Sequence, residues 1–201
     1  MAGGRATRLP GKCFRKLAGK ELVCHVFEGI HQVTQEIVVA TKDKQDVARL
    51  SYLLPAAKIV LDDSTKESPL VGFLSGSRAI QAPYVLVAPC DTPFIQPSVL
   101  RFLLQQAIGK DGAVTINDQE MIEPLCAVYR RQNSVDVAIQ SIDLGCLSML
   151  DMIERINNLA RVPVKEIRKI DPQLLTFKNI NTPNDFAWAE RTIHEISTTK
   201  T

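Results

Sequence analysis

No stretch of this 201-residue chain approaches the roughly 18 apolar residues of a membrane-spanning helix, and no hydrophobic segment follows its Gly-, Arg- and Lys-rich start. A membrane contact is therefore not expected, and the protein is read as cytoplasmic. Runs of five or six like charges are also missing. With 24 Lys+Arg against 22 Asp+Glu, the basic excess is too small and dispersed for a long polyanion, so a local phosphate site is expected rather than nucleic acid. Cys-x-x-Cys pairs are absent as well. The five cysteines (Cys13, Cys24, Cys90, Cys126 and Cys146) match no zinc or disulfide spacing and are read as reduced thiols. Finally, no strand precedes the first glycine-rich loop. Such loops normally hang from the carboxyl end of a buried strand, so we expect that strand to lie upstream, with Met1 as its last residue.

What remains is an ordinary globular composition, 45% hydrophobic and 23% charged, which fits one domain over 1–201 with no repeat or linker. Helical spacing of apolar residues is found over 21–33 (Leu22, Val23, Val26, Phe27, Ile30), 44–54, 69–80, 97–108 and 183–196. Residues 135–158 read as one or two further helices around Gly145. Short β-branched or apolar runs at 36–41, 58–61, 84–87, 113–116, 126–129 and 162–167 read as strands. Strands separated by helices of about a dozen residues imply parallel pairing with right-handed crossovers. The expected fold is α/β: a three-layer αβα sandwich around a Rossmann-like, mostly parallel sheet, lacking its first strand. Ligands of such sheets sit beyond the carboxyl ends of the strands. The segment before Lys12, the pair Asp62-Asp63, and Asp91 all fall at that edge.

Gly3 and Gly4 permit positive φ and a close approach of backbone amides to an anion, while Arg5, Arg8 and Lys12 add cations. The spacing is neither the dinucleotide fingerprint nor the Walker loop. A merely basic amino terminus is the plainer alternative. Asp91 follows the most apolar strand and precedes a Thr-Pro turn, a position suited to a hard cation such as Mg²⁺ or to an Asx-turn or helix cap before Pro97. His25, His31 and His194 lie in expected helices away from these segments and are read as structural. Cys90 has no adjacent base and is not read as a nucleophile.

The strings Ala2-Gly3-Gly4-x-x-x-Arg8, Lys12, Leu17-x-Gly19-Lys20, Ser68-Pro69-Leu70-Val71-Gly72, Pro89-Cys90-Asp91-Thr92-Pro93-Phe94 and Asn179-Ile180-Asn181-Thr182-Pro183 resemble, in order and rough spacing, the molybdenum cofactor guanylyltransferases (MobA-like). The resemblance implies a GT-A-like nucleotidyltransferase fold. It also implies transfer of GMP from GTP to the terminal phosphate of molybdopterin, release of pyrophosphate, Mg²⁺ as cofactor, and transient contact with other molybdenum-cofactor proteins. Residue by residue, it assigns Met1, Ala2, Gly3, Gly4 and Asp63 to the nucleotide, Lys12 with Arg8 to the phosphates and Asp91 to the metal; Asp63 could select guanine or serve only as an N-cap or turn residue. Asn179 and Asn181 carry over as metal-shell or acceptor contacts, and Glu123 lies in a segment on the acceptor side that also reads as plain strand.

The chain departs from the family pattern in the missing strand, in Ser68 where the family has Gly, and in a shorter loop with Gly11 where an acid precedes the lysine. Lys16 is the alternative phosphate lysine. Rival readings are an adenosylcobinamide-phosphate guanylyltransferase, a sugar-phosphate nucleotidyltransferase, or a non-catalytic nucleotide-binding relative.

Overall fold

The computed structural model describes residues 11–62 and 66–199, with side chains through residue 196. A 3-10 turn at Lys12–Phe14 leads into a two-stranded antiparallel ribbon, β1 (Lys16–Leu17) and β2 (Lys20–Glu21), and then α1 (Leu22–His31). There follow β3 (Val38–Thr41), α2 (Lys44–Leu53), β4 (Lys58–Leu61), α3 (Pro69–Arg78), β5 (Tyr84–Val87) and α4 (Pro97–Ala107). The second half holds β6 (Gly112–Ile116), β7 (Ile122–Arg130), α5 (Arg131–Asp143), α6 (Met149–Glu154), β8 (Leu159–Pro163) and α7 (Val164–Arg168). A 3-10 turn at Leu175–Phe177 and α8 (Pro183–Thr199) close the described chain.

The local causes are those expected. Asp43 and Ser68 cap α2 and α3 by accepting from the amides of Gln45 (2.8 Å) and Val71 (3.2 Å), and Pro69 occupies the first turn of α3, where its missing N–H costs nothing. Ser148 and Asp151 form a reciprocal capping box on α6. Gly145 at φ 81° separates α5 from α6, so the region read around it is two helices. One expectation is corrected. The strand read over 162–167 ends at Pro163, which caps α7, and the buried pair Val164 and Ile167 has the i, i+3 spacing of a helix.

The strands alternate their side chains between two helical layers. Val85 and Val87 of β5, Val114 of β6, and Ala127 and Tyr129 of β7 pack with α3, α5 and α6. Leu86, Ala113, Val128 and Ala160 face the other way, against Val99, Leu103 and Ala107 of α4 and Ile167 of α7. Leu100 and Leu103 are fully buried, and each such side chain contributes about 1.5–3 kcal/mol. This is the three-layer α/β sandwich read from the sequence.

The sheet itself differs in two respects. It is mixed: β3–β4 and β6–β8 pair in parallel, but β7 runs antiparallel to both β5 and β6, because it returns from β6 across a short turn rather than a crossover helix. It is also divided. The described strands form the order β3-β4 in one part and β5-β7-β6-β8 in the other, with no described strand between β3 and β5.

Candidate functional site

The carboxyl ends of β3, β4 and β5 meet the beginning and the end of the described chain. Gly11, at φ 61° and ψ 27°, adopts the left-handed conformation that starts the 3-10 turn, and the amide of Phe14 donates to its carbonyl at 3.0 Å. Cys13 and Phe14 anchor that turn in a cluster with Val23, Val39, Leu50 and Cys90. The Arg49 guanidinium covers the Phe14 ring at 4.1 Å. With its neighbours held, Lys12 is set to reach Asp91 and Asn181.

Its ammonium meets two oxygens from distant segments. It pairs with Oδ2 of Asp91, which is 6% exposed, and donates to Oδ1 of Asn181 at 2.8 Å. Asp91 is held from β5 onward: Thr92 Oγ1 donates to the Pro89 carbonyl at 3.1 Å, and the Asp91 carbonyl accepts from the amide of Ile180 at 2.9 Å. That last bond fastens the late Asn-Ile-Asn segment directly to the aspartate. Ile180 is fully buried beside Phe94 and Leu17, which secures the segment from below.

Asp185 orients the same segment and was not singled out from the sequence. Its Oδ2 accepts from the amides of Asn181 (3.1 Å) and Thr182 (2.9 Å) and from Thr182 Oγ1 (2.9 Å), and its own amide donates back to that hydroxyl. These hydrogen bonds, with the Lys178 ammonium nearby, hold its carboxyl below the usual carboxylate range against the opposing effect of burial. The signal was present as Thr182-Pro183-Asn184-Asp185, the Ser/Thr-x-x-acid spacing of a capping box.

Lys16, the alternative lysine, is exposed on the ribbon opposite Glu21 and does not face Asp91. Asn179 is exposed and has no hydrogen-bond partner among the described residues. Glu123 lies part-buried on β7; burial pushes its carboxyl up, and the Asp91 charge adds to the shift while the Leu125 amide opposes it. Cys90 is buried against Cys13; this thiol contact and burial push the Cys90 thiol well up, which suits a packing residue and not a nucleophile. His25 bonds the Leu17 carbonyl at 2.9 Å and His31 stacks on Phe27, both as structural residues. Met1, Ala2, Gly3, Gly4, Arg5, Arg8 and Asp63 lie outside the described residues.

For a divalent cation the described donors are hard oxygens, the Asp91 carboxylate and the Asn181 amide, and both already converge on one positive charge, the Lys12 ammonium. No cluster of three or more His, Cys, Asp or Glu occurs among the described residues. Two hard oxygens would suit Mg²⁺, which takes one or two carboxylates and fills its octahedron with phosphate and water.

The ammonium, carboxylate and amide oxygen meet beyond the strand ends of a three-layer α/β fold, where ligands of such sheets bind. The MobA-like NTP transferase domain matches residues 1–154, and this chain belongs to that family. It is 38% identical over 148 residues to the molybdenum cofactor guanylyltransferase of Burkholderia ambifaria, covering 69% of this chain and 72% of that one. A probable molybdenum cofactor guanylyltransferase of Methanosarcina mazei is 28% identical over 192 residues, covering 92% and 85%. The crystal structure of molybdopterin-guanine dinucleotide biosynthesis protein A from Archaeoglobus fulgidus superposes with a TM-score of 0.82 at 29% identity, over 96% of both chains. Among the described residues, no helix is long and apolar enough to cross a membrane.

Proposed function

We propose that this chain is a guanylyltransferase of molybdenum cofactor biosynthesis, moving GMP from GTP to the terminal phosphate of molybdopterin. An oxygen of the acceptor phosphate bonds to the α-phosphorus, the α–β phosphoanhydride bond breaks, and pyrophosphate leaves with the electron pair. The acceptor oxygen is already ionised at neutral pH, so no strong general base is needed, and the chain's work is positioning and charge neutralisation.

The observation that carries this reading is the convergence of Lys12, Asp91 and Asn181 on one point. The ammonium sits between the two oxygens. Lys12 serves the β and γ phosphates of the bound triphosphate, a role that the resemblance extends to Arg8, Gly3 and Gly4. Asp91 and Asn181 would hold Mg²⁺, whose charge would neutralise that of the phosphates. Met1 and Ala2 line the nucleotide, Asp63 accepts from the guanine N1–H and amino groups, and Glu123 and Asn179 lie toward the acceptor. Product passes to other molybdenum-cofactor proteins by transient contact in the cytoplasm.

The test is transfer of label from α-³²P-GTP to molybdopterin, with CTP and ATP as rival donors and adenosylcobinamide phosphate and sugar phosphates as rival acceptors. Label on molybdopterin that requires Mg²⁺ and falls on the order of a hundredfold in Asp91→Ala is expected. Transfer to another acceptor alone, or full turnover in Asp91→Ala, would overturn the assignment.

A further inference from the structure

The transfer reaction leaves the cysteines unused, and two of them are neighbours in space. Cys13 lies in the 3-10 turn at Lys12–Phe14 and Cys90 follows β5, yet both are buried in one cluster with Val23, Val39, Leu50 and Leu54. Their thiols are hydrogen-bonded to each other. Of the other three, Cys126 packs with Val26, Ala88 and Leu100, Cys146 Sγ lies 3.9 Å from Arg155 Nη2, and Cys24 packs at the edge of the Cys13 cluster.

The pair matters because each cysteine is the chain neighbour of a charged residue of the site. Lys12 precedes Cys13, Asp91 follows Cys90, and the Lys12 ammonium pairs with the Asp91 carboxylate. The two segments are therefore tied twice, by an ion pair and by a thiol contact. A disulfide holds its sulfurs closer than a thiol hydrogen bond does, so closing one must draw the turn and the end of β5 together. Close-packed interiors transmit such strain. The cluster around the sulfurs leaves little slack to absorb it, and the shift passes to Lys12 and Asp91. Each cysteine also keeps a little surface, 6% for Cys13 and 8% for Cys90, enough for a reagent the size of hydrogen peroxide and too little for a bulky disulfide.

We propose that Cys13 and Cys90 form an oxidation site for hydrogen peroxide, whose product disulfide pulls Lys12 and Asp91 out of their working positions until a dithiol reopens it. One sulfur gives up its proton and attacks a peroxide oxygen; the O–O bond breaks, leaving a sulfenic acid and one water. The second thiol attacks that sulfur, the S–O bond breaks, and the hydroxyl leaves with the thiol proton as a second water. Two thiols thereby lose two electrons and two protons, and one peroxide becomes two waters. The dithiol restores both thiols and itself becomes a disulfide. The loss of turnover, though not the disulfide, rests on the reading of Lys12 and Asp91 given above.

The test treats the reduced chain and its Cys13→Ala, Cys90→Ala and Cys24→Ala variants with hydrogen peroxide, alkylates remaining thiols under denaturing conditions, and digests with trypsin without reductant. In the wild type and in Cys24→Ala, peptide 13–15 should be joined to peptide 79–101, two hydrogens lighter than the free pair; the other two variants should not give it. Guanylyl transfer by the oxidised wild type should fall on the order of a hundredfold and return with dithiothreitol. Cys13→Ala and Cys90→Ala, each compared with itself before treatment, should show no such fall. Pairing of either cysteine with Cys24, or sulfinic acid without a cross-link, would overturn the site. Full turnover in the cross-linked chain would overturn its effect on Lys12 and Asp91. If the reduced chain transfers nothing, the guanylyl reading fails, and the peptide masses still decide the oxidation site.

Discussion

The Lys12 ammonium donates to Asn181 Oδ1 at 2.8 Å across 169 positions of sequence, while pairing with Asp91 midway between them. The site is therefore a knot of three segments, each fixed by different packing: Lys12 by the buried Cys13 and Phe14, Asp91 by β5, and Asn181 by Ile180 and Asp185.

Lys12→Met should reduce turnover on the order of a hundredfold, the usual result of deleting one charge that stabilises a transition state. Lys16→Met, on the exposed ribbon, should stay within a factor of two or so of wild type on the same reasoning, because it removes no group at the transition state. Steady-state kinetics of the two variants decide between the lysines, and a larger loss in Lys16→Met would reverse the assignment.

Asp185→Ala removes the acceptor of three hydrogen bonds and the acid of a capping box. The cap alone predicts a loss of about 1 kcal/mol, seen as a lower Tm. A drop in kcat together with that loss, both restored in part by Asp185→Glu, is expected if the carboxylate aims Asn181. Unchanged kcat beside a lowered Tm would confine Asp185 to the helix end. Its depressed pKa gives a pH signature: the contribution is complete above the unfolded value near 4 and disappears as pH falls through the lower folded value. Wild type and Asp185→Ala should therefore converge in Tm toward strongly acidic pH.

Glu123 carries the opposite sign. Its folded pKa is raised, so the folded state holds the proton more tightly than the unfolded chain, and stability is lost as pH climbs from the unfolded value near 4.3 through the folded one. Glu123→Gln should have a higher Tm than wild type at pH 8 and no advantage at pH 4. A constant difference across that range in parallel melts would show that ionisation is not its cause.

Gly29 on α1 lies against the segment following Asp91. A β-carbon there would fall 2.4 Å from Ile95 Cγ2 and 3.1 Å from the Ile95 carbonyl. Gly29→Ala should cost about 1–3 kcal/mol by overpacking and weaken turnover by displacing the Asp91 segment. Melting and kinetics on one preparation check both, and wild-type values in each would show that the loop yields freely.

Much of this was legible in the residues because it depends on local rules. Helices α1 to α4 and strands β3 to β5 follow periods of 3.6 and 2, and Ser68 and Gly145 act as cap and break. The strand read over 162–167 failed because Pro163 ends the strand and caps α7, after which Val164 and Ile167 follow the i, i+3 spacing of a helix. Glu123 and Asn179 could be named from the resemblance, but chain position does not say which way a side chain turns.

By itself, then, the order of residues determined the alternation of elements and the layer architecture, since propensity, capping and periodicity act over a few neighbouring positions, while the lysine, aspartate and asparagine that meet in the structure were named from the resemblance. The tertiary structure alone decided that Lys12 rather than Lys16 meets Asp91, and that β3 and β5 stand apart with a slot between them. Those depend on which segments, tens of residues or more apart, pack against one another, and no local period encodes that choice.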